Sequence, residues 1–185
     1  MRQDSLVVDR LTVTFEQFIV DFQKDLFTSR GTLYKIFEGE FVRSVFSQLH
    51  KSYIARSRKR GYKGFPEWRD IKEGTKVRKR KSYPATANLV NIRTKRAVNS
   101  FKPGEAVRSG YKPFNSDQLF EISGSKNEIT VTVGSNVLHI SGFEKYSEGD
   151  DRKVFASGMM EYIVKQAMKV AKRKVMSEIR RRYNR

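Results

Sequence analysis

The sequence predicts an α+β fold, and three observations lead to this prediction. Apolar residues recur at helical spacing in the first third of the chain, alternate at strand spacing near residue 130, and return to helical spacing near the C-terminus. A chain of 185 residues suits one domain, predicted over 1–185. Its 38% hydrophobic residues, with 13 Phe and 8 Tyr, are enough for a packed core.

The N-terminal part, residues 1–58, is predicted to be helical. The tetrapeptide that begins at Thr14 has the pattern of a capping box, and Phe, Ile and Leu residues follow at helical spacing, so a first helix is expected over 15–27. Gly31 interrupts this pattern. A long apolar stripe then predicts a second helix over 33–58.

Residues 59–85 are predicted to form a long, extended basic loop. Their apolar residues show no periodicity, and glycines and prolines punctuate the segment at both ends. Runs of Lys and Arg at 56–60 and 76–81 make it strongly basic. Such a segment is typical of a loop that becomes ordered on assembly.

Residues 86–145 are predicted to be mainly β. Within Glu128–Val133, Ile and Val alternate with Thr, which is typical of a strand with one buried face. A turn then predicts a returning strand over 137–141, and an earlier strand is expected over 119–123, which makes an antiparallel meander of at least three strands. The apolar pattern over 88–101 fits either a short helix or a strand.

A C-terminal amphipathic helix with a basic tail is predicted over 154–182. Its apolar face consists of Met160, Ile163, Val164, Ala167, Met168, Ala171, Val175 and Ile179. The cations that lie off this face are Lys165, Lys169, Lys172, Arg173 and Arg180. Basic residues in the last turns also suit the negative end of the helix dipole.

The net charge of +18 is unevenly distributed. Residues 51–112 contain 19 basic and 4 acidic residues, and residues 165–185 contain 9 basic and 1 acidic, whereas 113–164 contain 4 basic and 8 acidic. Such a field attracts polyanions and is screened by salt, so nucleic acid is the favoured partner and an acidic protein the alternative. The predicted nucleic-acid-facing residues are Arg56, Arg58, Lys59, Arg60, Arg78, Lys79, Arg80, Lys81, Arg180, Arg181 and Arg182.

No enzyme activity, metal or cofactor is predicted. The chain has no cysteine and two histidines, and it contains neither of the glycine-rich patterns that bind phosphates. An Mg²⁺-dependent nuclease stays as the enzyme alternative, although its candidate carboxylates do not form a motif. These are Asp70, Glu73, Glu121, Glu128 and Glu144. No sequence-reading nucleic-acid module is found either, so contact through phosphates is expected.

The sequence also predicts a soluble protein that is made in a cytoplasm and does not enter a membrane. The first residues have no apolar stretch of signal-peptide length. No segment approaches the roughly 18 to 20 apolar residues that cross a bilayer.

Several segments carry a family resemblance through their order and spacing. Gly64–Trp68 precedes a threonine and a basic run, followed by Asn88–Val90 and Arg96–Phe101, and then by the strand and turn of Glu128–Asn136 and by His139. This order resembles the phage virion-morphogenesis, or tail-completion, family typified by Mu-like phages. The family's Thr-Gly pair is absent here, where Ile-Arg or Thr-Lys stands instead.

The resemblance implies a structural virion protein without catalysis, a subunit of a homo-oligomeric ring at the phage head-to-tail junction. Its partners would be other neck, tail or portal-complex proteins and packaged DNA, bound without sequence preference. The loop 59–85 would line the channel or reach a neighbouring subunit, with Phe65, Trp68 and Tyr83 at the subunit interface. Trp68 packed in its own core is the alternative. A ribosomal-type or other non-specific RNA-binding or DNA-binding protein is the alternative function.

Overall fold

In a computed structural model, residues 7–14, 32–90, 92, 95–125, 128–137, 140 and 153–183 are described. The predicted α+β class is confirmed. The helices are α1 (Thr32–Ser57), α2 (Glu73–Ser82), α3 (Lys95–Asn99) and α4 (Met159–Tyr183), with a 3₁₀ turn at Pro84–Thr86. The strands are β1 (Val7–Thr14), β2 (Glu105–Val107), β3 (Gly110–Lys112), β4 (Gln118–Ser125) and β5 (Glu128–Ser135).

Helix α1 lies at the centre of the core and confirms the helix predicted over 33–58. Its aromatic and aliphatic side chains are buried on several sides, against α4 and against the β2–β3 hairpin. The hairpin approaches closely because α1 has a glycine there. A Cβ atom on Gly39 would lie 2.3 Å from the carbonyl oxygen of Gly110, so a side chain at this position would displace the hairpin.

Helix α4 packs antiparallel to α1. Its first residue, Met159, accepts a hydrogen bond from the Ser52 hydroxyl near the end of α1, with the oxygen and sulfur 3.4 Å apart. Residues of its last turns line a groove together with Ile36 and Glu40, which lie near the start of α1. The predicted apolar face of α4 is buried, apart from partly buried Met168 and Ile179. The predicted basic tail is a continuation of this helix through Arg180, Arg181 and Arg182.

The sheet differs from the predicted meander in the origin of its third strand. Strands β4 and β5 pair antiparallel, as predicted, but β1 occupies the other side of β5, so the order is β1-β5-β4. The returning strand predicted over 137–141 is wrong in its described residues, because Val137 is not in a strand and Ile140 is helical. The Ile140 N–H instead donates to the Val137 carbonyl, 2.9 Å away.

The N-terminal part, predicted over 1–58 to be helical, also contains a strand, Val7–Thr14. This segment is rich in Val, Thr and Leu, and antiparallel pairing with β5 makes it a strand. Thr14, the predicted helix cap, pairs with Glu128. The helix predicted over 15–27 lies outside the described residues.

The prediction that 59–85 is an extended loop is wrong over Glu73–Ser82, which form α2. This helix has no apolar stripe, so hydrophobic periodicity does not reveal it, but Lys and Arg are good helix formers. In the ambiguous segment 88–101, Lys95–Asn99 form the short helix α3.

Candidate nucleic-acid interface

The carboxylate of Asp70 joins the two basic runs of the central block. Lys59, just after α1, and Lys76, on α2, both donate to its Oδ2 atom, and the Lys76 Nζ atom lies 3.0 Å away. The Ile71 N–H donates to its Oδ1 atom over 2.8 Å. The hydrogen bonds from Lys59 and then Lys76 are the main causes that lower the pKa of Asp70 to about 2. One carboxylate therefore holds the end of α1 beside α2.

Six of the predicted residues form an exposed surface around this junction, here called the basic surface. Its members are Arg58, Lys59, Arg60, Arg78, Arg80 and Lys81. Residues 58–81 contain eleven basic and three acidic residues, so the two carboxylates that form ion pairs here leave most of the charge uncompensated. Glu73 lies 3.5 Å from both the Lys76 and the Arg80 nitrogens.

Arg56 does not belong to this surface, and its predicted nucleic-acid role is wrong. Its side chain is 0% exposed. The Nε atom donates to the Pro66 carbonyl at 2.8 Å, and Nη1 donates to the carbonyls of Lys153 and Val154 at 2.8 and 3.1 Å. Its guanidinium carbon also lies 5.2 Å from the centre of the Trp68 ring. Arg56 therefore holds two loops against the end of α1.

Lys79 is the second predicted residue that the structure removes from the surface. It is 7% exposed, although its neighbours Arg78 and Arg80 are exposed. Its ammonium group donates to the Leu89 carbonyl, 2.5 Å away. Lys79 therefore points inwards from α2, and its contact with Leu89 attaches the helix to the segment that follows it.

Trp68 is a core residue, so the core alternative is confirmed and its predicted interface role is wrong. It is 0% exposed, and its indole N–H donates to the Lys153 carbonyl at 2.9 Å. Its ring meets Tyr53 edge to face, with centroids 4.7 Å apart. Phe65 is half-buried against Tyr162.

Tyr83 is the exposed member of the predicted interface set, at 39%, directly after α2. It follows the cations Arg80 and Lys81, so an aromatic ring stands beside the basic surface. The placement of Tyr83 at a subunit interface stays a prediction.

The predicted cations of the C-terminal helix lie at the other end of the molecule. Arg181 lines a groove together with Ile36, near the start of α1, whereas Arg58 directly follows the end of α1. At 1.5 Å per residue, Ile36 and the end of α1 are about 30 Å apart. Arg180 and Arg181 are exposed, and Arg181 pairs with Glu178 at 2.7 Å. The Arg182 side chain lies outside the described residues. The predicted set is thus divided between two regions.

The candidate carboxylates of a nuclease site do not assemble in the part of the chain that the structure describes. No group of three or more His, Cys, Asp or Glu residues suited to a metal ion occurs there. Asp70 and Glu73 do lie near each other, but both contact Lys76. Glu121 is exposed on β4, and the side chains of Glu128 and Glu144 are outside the described residues. Over the same described residues, no helix has the length and apolar character to cross a membrane.

Sequence reasoning did not find the junction that organises the basic surface. Asp70 and Lys76 were not among the predicted contact residues, yet they bring the two basic runs together. The acidic residues between the two basic runs, Glu67, Asp70 and Glu73, are the signal that could have indicated the junction.

Comparison with protein-family models, with curated proteins and with solved structures found no match to this chain. The resemblance to the tail-completion family therefore stays a prediction from the order of the residues.

Proposed function

We propose that this chain is a non-catalytic structural subunit of a phage head-to-tail connector that contacts DNA through its phosphates. The basic surface is the observation that supports DNA contact. The connector role is supported by the resemblance of residues 61–145 to the tail-completion family.

The shape and chemistry of the basic surface favour phosphate contact over base reading. Helix α2 presents Arg78, Arg80 and Lys81 to solvent, and its apolar residue Val77 is itself exposed. Lys and Arg that neutralise phosphates bind any sequence and release counterions, so this type of binding falls steeply with salt. The Asp70 junction holds Lys59 and Lys76 in place before a ligand arrives, which reduces the cost of ordering the two basic runs on binding.

Replacing Arg78, Arg80 and Lys81 with glutamine should weaken duplex DNA binding, because three phosphate contacts are lost. We expect the slope of log K against log salt to become shallower by about 0.9 for each contact. Fluorescence anisotropy with a labelled duplex over a series of salt concentrations measures this slope.

A matched control is the chain in which Lys35, Lys51 and Lys112, exposed elsewhere, become glutamine. It loses the same charge and should keep most of the wild-type slope. Equal losses in the control and in the α2 variant would mean that net charge alone drives binding, and would contradict the proposed surface.

The connector role predicts that the protein assembles into rings and occurs in virions. Sedimentation velocity and electron microscopy of the purified protein should show closed rings, and purified particles should contain the chain at the neck. A protein that stays monomeric at all concentrations and is missing from particles would contradict this role. Co-purification with ribosomes would favour the RNA-binding alternative.

A further inference from the structure

Helix α4 has a line of cations on its outward face, here called the α4 stripe. It consists of Lys165, Lys169, Lys172, Arg173 and Arg180. All five are exposed, and at 3.6 residues per turn they fall within about 100° of the helix surface, opposite the face buried against α1. The two acidic residues of the helix lie elsewhere: Glu178 lines the groove beside Ile36, and Glu161 precedes the stripe.

The start of the stripe adjoins the loop that follows α1. Tyr162, one turn before Lys165 on the same face, packs against Phe65 with ring centroids 6.0 Å apart. Phe65 is held in a tight turn by paired backbone hydrogen bonds with Tyr62, each 2.9 Å long. The exposed Lys63 lies within this turn. Two basic regions about a hundred residues apart in sequence therefore lie next to each other, joined by the Phe65–Tyr162 contact.

We propose that the α4 stripe is a second phosphate-binding surface and that its ligand is the backbone of double-stranded DNA. This inference rests on the proposed DNA contact, but it concerns residues outside the basic surface. The stripe extends the contact from the loop after α1 along the outer face of α4.

The dimensions of the stripe suit a stiff duplex. From Lys165 to Arg180 it is about 22 Å long, since each helical residue rises 1.5 Å. Duplex phosphates repeat every 3.4 Å per strand along the axis, so the stripe covers about six base pairs. Duplex DNA is straight over such a length, because its persistence length is about 150 base pairs, and it can lie along a straight helix with little ordering cost.

The chemistry of the stripe favours a duplex over a single strand. Single-strand sites combine cations with aromatic side chains on which bases stack. The ring of Tyr162, at the start of the stripe, is packed against Phe65, and no aromatic residue occurs from Ile163 to Arg182, so the rest of the stripe offers charge alone. A flexible single strand would lose conformational entropy there without a stacking gain in return.

The experiment uses the full chain with Lys165, Lys169, Lys172 and Arg173 replaced by glutamine. We expect duplex affinity near 0.1 M salt to fall at least tenfold, and the salt slope to become shallower by about 3 to 4, as four phosphate contacts are lost. Binding to an oligothymidine of equal length should fall less. The matched control replaces Lys35, Lys51, Lys95 and Lys112, which are exposed on α1, α3 and β3, and should stay near wild type.

A second measurement uses the unaltered protein, so its result does not depend on whether a variant folds. Duplex DNA should protect Lys165, Lys169 and Lys172 of the unaltered protein from reductive methylation, and should leave Lys35 and Lys51 reactive. Mass spectrometry of the digested protein reports both sets of lysines.

Three results would overturn the inference. They are wild-type duplex binding by the stripe variant, an equal loss of oligothymidine and duplex binding, or competition by polyglutamate as strong as that by duplex of equal charge. If the stripe variant binds normally while the Arg78, Arg80 and Lys81 variant is impaired, the inference fails and the proposed function stands. The reverse pattern would support the stripe and remove the basic surface from the proposal.

Discussion

Replacing Trp68 with alanine is expected to lower the free energy of unfolding by about 3 to 5 kcal/mol, as is usual for a buried tryptophan. The side chain is fully buried, packs edge to face on Tyr53, and donates its indole N–H to the Lys153 carbonyl. Truncation would leave a cavity and would remove the ring beneath the Arg56 guanidinium. Urea unfolding, followed by circular dichroism, measures the change.

Tyr83→Ala is the control for this substitution, because it removes an aromatic ring that is exposed. Its effect on the free energy of unfolding should stay within about 0.5 kcal/mol. A Trp68→Ala protein as stable as wild type but impaired in self-association would contradict the core role and restore the predicted interface role.

Arg56→Ala is expected to lower the free energy of unfolding by about 3 kcal/mol. The guanidinium is buried and donates to the carbonyls of Pro66, Lys153 and Val154. Hydrogen bonds to a charged group contribute about 1.5 to 3 kcal/mol each, and a buried acceptor left without a donor is costly. Arg56→Lys should recover only part of the loss, because an ammonium group lacks the planar fork of guanidinium donors. Denaturant unfolding of both variants measures these changes.

Arg58→Ala provides the matched control, two residues along the chain and exposed. Its stability should stay within about 0.5 kcal/mol of wild type. Its salt slope for duplex binding should become shallower by about 0.9, as one phosphate contact is lost. If Arg56→Ala were as stable as wild type and instead bound DNA poorly, the original nucleic-acid assignment of Arg56 would be right.

Helices and strands with strong periodicity could be predicted from the sequence. In α1 and α4, apolar residues at helical spacing mark the faces that are buried. In β5, alternation of Ile and Val with Thr marks the strand, and the earlier strand expected from the sequence pairs with it as β4. Each signal is local, because burial of one face imposes the period of the element on its own residues.

The positions of β1 and α2 could not be predicted in this way. Strand β1 is defined by pairing with β5, more than a hundred residues later, so its partner is not visible in its own pattern. Helix α2 buries no apolar stripe and is attached by the Lys79 ammonium group and by Lys76 at Asp70. Hydrophobic periodicity cannot report a helix that is held by polar contacts.

The sequence by itself determined the fold class and the distribution of residues along the chain. The fold is α+β, the positive charge lies in two blocks, and the apolar residues lie in periodic segments. Only the tertiary structure decided which cations face solvent. Arg56 and Arg58 belong to the same basic run, yet helix geometry turns one inwards to backbone carbonyls and leaves the other exposed. The same packing places the α4 stripe beside the loop after α1, because contacts between distant segments follow from the fold and not from their order in the chain.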